Sequence, residues 1–170
     1  MNLDKIKFPL DNYKKLIKDI SGLNLDEWIN YWEKEKMILS YVYKYYGDAY
    51  RDDWLWGVIL PILSDLYTLE KSKKKRQVIG LSALPGTGKT TLGILIQRLL
   101  LKMDIKACVV SLDDFYLPFS EMKKAIKDNP WNVSRGFPGS HSISLIEERI
   151  LEWKNTGRFN YPVFDKSLRN

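Results

Sequence analysis

The chain has 170 residues, 45% of them hydrophobic and 13% aromatic, enough for one domain of about 150 residues or a small domain with a helical annex and too apolar for global disorder. Its 27 Lys and Arg against 21 Asp and Glu leave a net charge of +6, spread along the chain, which suits an anionic ligand; no nucleic-acid partner is expected. One cysteine, Cys108, and one histidine exclude an internal disulfide framework and leave little for a Cys/His zinc site, so a reducing, cytoplasmic compartment is the default.

The amino terminus mixes acids with bases and has no apolar run of the kind a secretory signal needs. Trp28, Trp32, Leu39 and Val42 fall on one helical face after the capping candidate Asn24, and Gly47 and Asp48 are expected to end that helix. A second helix is expected from Asp52 or Asp53 through Leu69, with Leu55, Val58, Ile59, Ile62, Leu63 and Leu66 on one side and Pro61 bending it. Its greasiest part, Trp54 to Leu63, is about half as long as a membrane-spanning helix, so no membrane partner is expected. The aromatic load, Tyr31, Tyr41, Tyr43, Tyr45 and Tyr46 included, reads as helix packing rather than a base-stacking surface. Lys71 to Arg76 is a dense basic run that reads as a solvated connector. Residues 1 to 76 form the expected helical region.

The character changes at Gln77. Val78 to Ser82 is a short apolar run, then comes a glycine loop, then a helical pattern from Lys89 to Lys102 with Leu92, Ile94, Leu95 and Leu99. Ala107 to Leu112 reads as a second strand, joined to the first by the helix as a parallel crossover requires. Ser120 opens a short helix that stops near Asn129 and Pro130. Ser144 with Glu147 reads as a capping box for a further helix carrying Leu145, Ile146, Ile150 and Trp153, ended by Gly157. Phe159 to Phe164 is a third strand candidate. Residues 77 to 170 therefore predict an α/β domain built on a parallel sheet flanked by helices.

Ala83, Leu84, Pro85, Gly86, Thr87, Gly88, Lys89 and Thr90 have the spacing of the P-loop G-x-x-x-x-G-K-[ST], with Ala83 in place of its first glycine, where a small residue suffices. Gly86 and Gly88 let successive N–H groups close around a phosphate. Lys89 can reach β- and γ-phosphate oxygens, Thr90 offers a hydroxyl to Mg²⁺, and Thr91 continues the helix start whose positive end favours an anion. ATP and Mg²⁺ are the expected nucleotide and metal. Asp113 and Asp114 follow the second strand candidate, where ligands bind in open α/β folds. One carboxylate there can take a hydroxyl proton while the other orients the acceptor, or Asp113 can be a Walker B carboxylate serving Mg²⁺; both roles stay open.

With the P-loop upstream, the run Ser111-Leu-Asp-Asp-Phe-Tyr116 resembles the phosphoribulokinase, uridine kinase and pantothenate kinase group. Arg135-Gly-Phe-Pro-Gly-Ser-His141 and Pro162-Val-Phe-Asp-Lys-Ser167 resemble blocks of the D-glycerate 3-kinase family, and the resemblance covers about residues 54 to 170. It implies a P-loop kinase domain over 77 to 170 that moves the γ-phosphoryl group of ATP to the 3-hydroxyl of D-glycerate, a small-molecule acceptor. It further implies Asp113 as catalytic base beside Lys89, with Asp114, Tyr116, Arg135, His141, Asp165 and Lys166 on the acceptor side. A guanidinium such as Arg135 suits a carboxylate by bidentate geometry. Another hydroxylated acceptor, or an ATP-binding protein without glycerate activity, are the rival readings. The family's chain continues after F-D-K-S with a Gly-rich segment, further strands and an arginine-bearing lid. The expectation is therefore a fragment with an incomplete sheet, since three strand candidates fall short of the roughly five or six usual in a doubly wound sheet.

Overall fold

The computed structural model describes residues 9–47, 52–72, 75–127 and 136–162. Two compact units emerge, one of residues 1–74 and 80–109, the other of residues 75–79 and 110–170. Among the described residues no helix is long and apolar enough to cross a membrane.

The first unit is helical. A short 3-10 turn, Leu10–Tyr13, leads into α1 (Lys14–Ser21). Asn24 caps α2 (Leu25–Lys34) as expected: its side chain accepts from the Glu27 N–H, and the Glu27 carboxylate accepts from the Asn24 N–H, both at 2.9 Å. The single helix expected through Val42 is in fact two. Glu35 leaves helical geometry at ψ 56°, and α3 (Lys36–Tyr46) starts anew, ending at Gly47.

A helical stretch then runs from α4 (Asp52–Trp54) through a π-helical turn, Leu55–Ile59, into α5 (Leu60–Ser72). Pro61 explains the wide turn. Its ring would clash with the carbonyl four residues back and it offers no N–H, so the ladder slips by one residue, with Leu60 N–H reaching back five positions to Leu55. The last helix of this unit, α6 (Lys89–Lys102), has the bounds that the apolar pattern predicts.

Ile17, Trp28, Trp32, Ile38, Val42, Leu55, Trp56, Ile59, Leu63, Leu95 and Leu99 make one continuous core. At its centre the buried Ser64 hydroxyl accepts the indole N–H of Trp28 at 2.7 Å and of Trp32 at 3.1 Å, and donates to the Leu60 carbonyl at 2.8 Å. That uses every hydrogen-bonding position of a hydroxyl. Trp28 also meets Trp56 edge to face, 5.6 Å between centroids. Tyr41 lies under Lys102 and Tyr45 under Arg98, at 4.5 and 5.5 Å from ring centre to cation, so these rings are engaged in helix packing.

The α6 helix ends in a compact turn in which Ile105 N–H returns to Leu100 O and Asp104 takes a left-handed φ of 59°. Left-handed backbone costs an L-residue about 1–2 kcal/mol, against about 0.5–1 kcal/mol of chain entropy that glycine gives up. Asp104→Gly is therefore expected to stabilise the fold slightly, by up to about 1.5 kcal/mol, read as a higher urea midpoint of unfolding.

Among the described residues the parallel sheet is not formed. No β-ladder exists there, and the expected first strand has no regular structure, with Val78, Ile79 and Leu81 at 48, 56 and 50% exposure. The expected second strand is in no ladder either; it is held by a helix. Gln97 Nε2 of α6 donates to Ala107 O at 3.0 Å, and Val109 packs so close to Gly93 that a Cβ there would sit 3.0 Å from its methyl. The described part of the third candidate, residues 159–162, is irregular, and 163–164 lie outside the described residues.

In the second unit, α7 (Phe119–Lys127) follows a 3-10 turn, Leu112–Phe115, and α8 (Ile143–Thr156) ends at Gly157 as expected. The Ser144–Glu147 capping box does not form, because α8 begins before Ser144, with Ser142 at the cap position and no side-chain cap bond. Arg76, from the basic run read as a connector, donates to the Lys154 carbonyl at 3.1 Å at the carboxyl end of α8, where a cation is favoured. Among the described residues of this unit, Phe115, Met122 and Phe137 are the buried apolar ones.

Candidate functional site

The candidate residues fall into two groups, one in each unit. In the first unit, residues 83–88 loop into the start of α6. Gly86 and Gly88 both take left-handed backbone, φ 77° and 83°, and a Cβ added to either would meet nothing within 4 Å. Their conformation, not crowding, requires glycine. The loop is closed by Thr87, whose hydroxyl donates to Leu84 O at 2.7 Å. The first helical bond of α6 is Leu92 N–H to Gly88 O at 2.9 Å, so the amides of Lys89, Thr90 and Thr91 form the donor-rich first turn of a helix.

Lys89 is partly buried, and its ammonium donates to two carbonyls of its own loop, Ala83 O at 2.9 Å and Leu84 O at 2.8 Å. An ammonium has three donors, so two anchor it and one is left for a ligand oxygen. Sequence reasoning missed this anchoring, because backbone carbonyls leave no trace in residue types. Ala83, Leu84 and Pro85 line the exposed loop, as do Thr90 and Thr91 at its helical end.

In the second unit, Ser111 caps the 3-10 turn, accepting the Asp113 N–H on its hydroxyl at 3.3 Å, while Asp114 N–H donates to Ser111 O at 3.1 Å. Both carboxylates are partly buried. Tyr116 and His141 form an antiparallel bridge, with Leu117 N–H to Ser140 O at 3.0 Å and Ser142 N–H to Phe115 O at 2.9 Å. Their rings stack at 4.2 Å. Gly136 lies close by: a Cβ on it would stand 3.6 Å from the Tyr116 hydroxyl. The structure thus brings Asp113, Tyr116 and His141 together. Burial lowers the His141 pKa below its ordinary 6.5, while the negative charge of Asp113 works the other way. Arg135, Asp165 and Lys166 lie outside the described residues.

Ser140 is the residue that reading by motif left without a role. It is fully buried, donates to Phe137 O at 2.7 Å and contacts His141 Nδ1 at 3.1 Å. Its place directly before the lone histidine was the available signal.

In the first unit, the loop amides and the ammonium match phosphate oxygens, and the Thr90 hydroxyl is a hard donor of the kind Mg²⁺ takes. Among the described residues no group of three metal-ligating His, Cys, Asp or Glu side chains exists.

No family model matches the chain, and no solved structure matches it. Two curated proteins do. An "uncharacterized kinase mug58" of Schizosaccharomyces pombe is 28% identical over 115 residues, 65% of this chain and 42% of that protein. The chloroplastic D-glycerate 3-kinase of Arabidopsis thaliana is 40% identical over 76 residues, 43% of this chain and 17% of that enzyme. The chain thus spans less than half the length of either relative. What the two names share is kinase, without a common acceptor, and the chain is a relative of kinases in that general sense.

Proposed function

We propose that the protein is an ATP-dependent phosphotransferase that moves the γ-phosphoryl group to a hydroxyl of a small hydroxy acid, with D-glycerate the acceptor. The observation that carries the reading is the loop of residues 83–90, with two left-handed glycines and an anchored lysine at the start of a 14-residue helix. The 40% identity to the plant enzyme supports the acceptor.

In this reading the first-turn amides of α6 and the Lys89 ammonium bind the phosphate oxygens and offset the charge that builds as the phosphoryl group leaves. Thr90 would offer its hydroxyl to Mg²⁺, which when bound supplies further neutralisation of that charge. Asp113, its turn held in shape by Ser111, accepts the proton of the attacking hydroxyl; service to Mg²⁺ is its alternative role. Asp114, Tyr116, His141 and, outside the described residues, Arg135, Asp165 and Lys166 receive the acceptor.

Asp113→Asn separates the two roles of that residue. As a base, its loss is expected to cut D-glycerate phosphorylation by about 10²-fold or more while ATP affinity measured by calorimetry stays nearly unchanged. Loss of Mg²⁺-dependent ATP binding instead would assign it to the metal. Absence of any turnover with ATP and D-glycerate in a version extended to the relatives' length would overturn the kinase reading.

A further inference from the structure

The hydrogen bonds around His141 can be assigned by following protons. Ser140 Oγ lies 2.7 Å from the Phe137 carbonyl oxygen and 3.1 Å from His141 Nδ1. A carbonyl oxygen only accepts, so the single hydroxyl proton of Ser140 goes to Phe137. What Ser140 offers to Nδ1 is a lone pair, and Nδ1 must supply the proton. Ser140 has no solvent exposure, so water does not compete for either bond.

A neutral imidazole with its proton on Nδ1 has a lone pair on Nε2. Free histidine side chains favour the opposite form, with the proton on Nε2, and it is the partner of one nitrogen that decides the other. The ring is also fixed in direction. Bonds from Leu117 N–H to Ser140 O and from Ser142 N–H to Phe115 O flank His141, and the Tyr116 ring stacks on it at 4.2 Å.

We propose that Ser140 is a positioning residue that holds His141 as its Nδ1-protonated tautomer, so that Nε2 accepts a hydrogen bond from a hydroxyl of the acceptor substrate. The substrate half of this inference rests on the kinase reading; the tautomer half rests on geometry alone. An unprotonated Nε2 cannot donate to a carboxylate, so His141 recognises the hydroxyl of a hydroxy acid and leaves its carboxylate to cationic groups. Burial, which disfavours the charged imidazolium, acts in the same sense, against the opposing pull of the Asp113 charge.

His141 is the one histidine in the sequence, so a long-range proton–nitrogen correlation spectrum of the ¹⁵N-labelled chain at mildly alkaline pH contains a single imidazole pattern. The expected pattern has Nδ1 at the protonated and Nε2 at the unprotonated nitrogen shift. Ser140→Ala is expected to move the ring toward the Nε2-protonated form, and Ser140→Thr, which keeps the hydroxyl, to leave it as in the parent. D-glycerate is expected to shift the Nε2 resonance toward that of a hydrogen-bonded nitrogen, whereas propionate, a carboxylate without a hydroxyl, leaves it in place.

A parent chain with Nε2 protonated overturns the tautomer without recourse to any variant, and a Ser140→Ala spectrum unchanged from the parent overturns the role of Ser140. Equal responses to D-glycerate and propionate, or none to either, overturn hydroxyl recognition. A glycerate-specific shift in a protein that never turns over ATP upholds this inference while removing the kinase reading; turnover without such a shift does the reverse.

Discussion

Lys89→Ala is expected to abolish most phosphoryl transfer, by about 10²- to 10³-fold in kcat, the range for removing one donor that stabilises developing negative charge. The effect is expected to be large because the residue has two tasks. Its ammonium bridges Ala83 O and Leu84 O, so it shapes the loop as well as meeting a phosphate. Alanine removes both. ATP affinity should therefore fall along with turnover, since the carbonyl pair loses its counter-charge next to an anionic ligand. Lys89→Arg, which keeps the charge but carries a wider planar head, is expected to retain more binding than turnover. Titration calorimetry with Mg²⁺-ATP and a steady-state assay with D-glycerate measure the two quantities, and unchanged values for both in Lys89→Ala would end the assignment of the loop.

Ser64→Ala is expected to cost about 2–6 kcal/mol of stability by urea denaturation followed by circular dichroism, because it strands two buried indole N–H groups at about 1–3 kcal/mol each. The cost does not come from the volume removed, which is one oxygen atom. It comes from Trp28 and Trp32 sharing one acceptor, with the hydroxyl proton engaged at Leu60. A double-mutant cycle checks the origin. Trp28→Phe in the Ser64→Ala background should cost clearly less than Trp28→Phe alone, since the ring that remains has no N–H to leave unpaired. Additive costs would show that packing around the serine, not its hydrogen bonds, sets the stability.

The helices were legible in the sequence because their signals are local. The bounds of α6 follow from a run of apolar residues at helical spacing after a glycine loop, and the Asn24 cap follows from its residue type just ahead of an apolar helical face. The break at Glu35 was not, since the apolar face passes through it uninterrupted and only the backbone turns. The strands failed for a different reason. A run such as Val78 to Ser82 has apolar residues at strand length, but a strand exists only when another segment supplies its hydrogen bonds, and pairing is not written in the run itself. Ala107 to Val109 shows the alternative, an apolar segment whose neighbours are Gly93 and Gln97 of a helix. At the site, residue types that carry chemistry, such as Lys89, Asp113 and His141, were visible. The groups that orient them, the Ala83 and Leu84 carbonyls and the Ser140 hydroxyl, are either common to every residue or ordinary in type.

The crowding of Trp28, Trp32 and Trp56 into one dry core has an optical consequence. All three have at most 1% exposure and belong to the first unit, so the blue-shifted part of the chain's intrinsic fluorescence comes from that helical core and reddens when it melts. The imidazole of His141 belongs to the second unit and gives a magnetic signal that no indole shares. An unlabelled spectrum of light and a single nitrogen resonance therefore follow the two halves of the polypeptide separately during denaturation, and whether their transitions coincide measures directly whether they melt as one cooperative body.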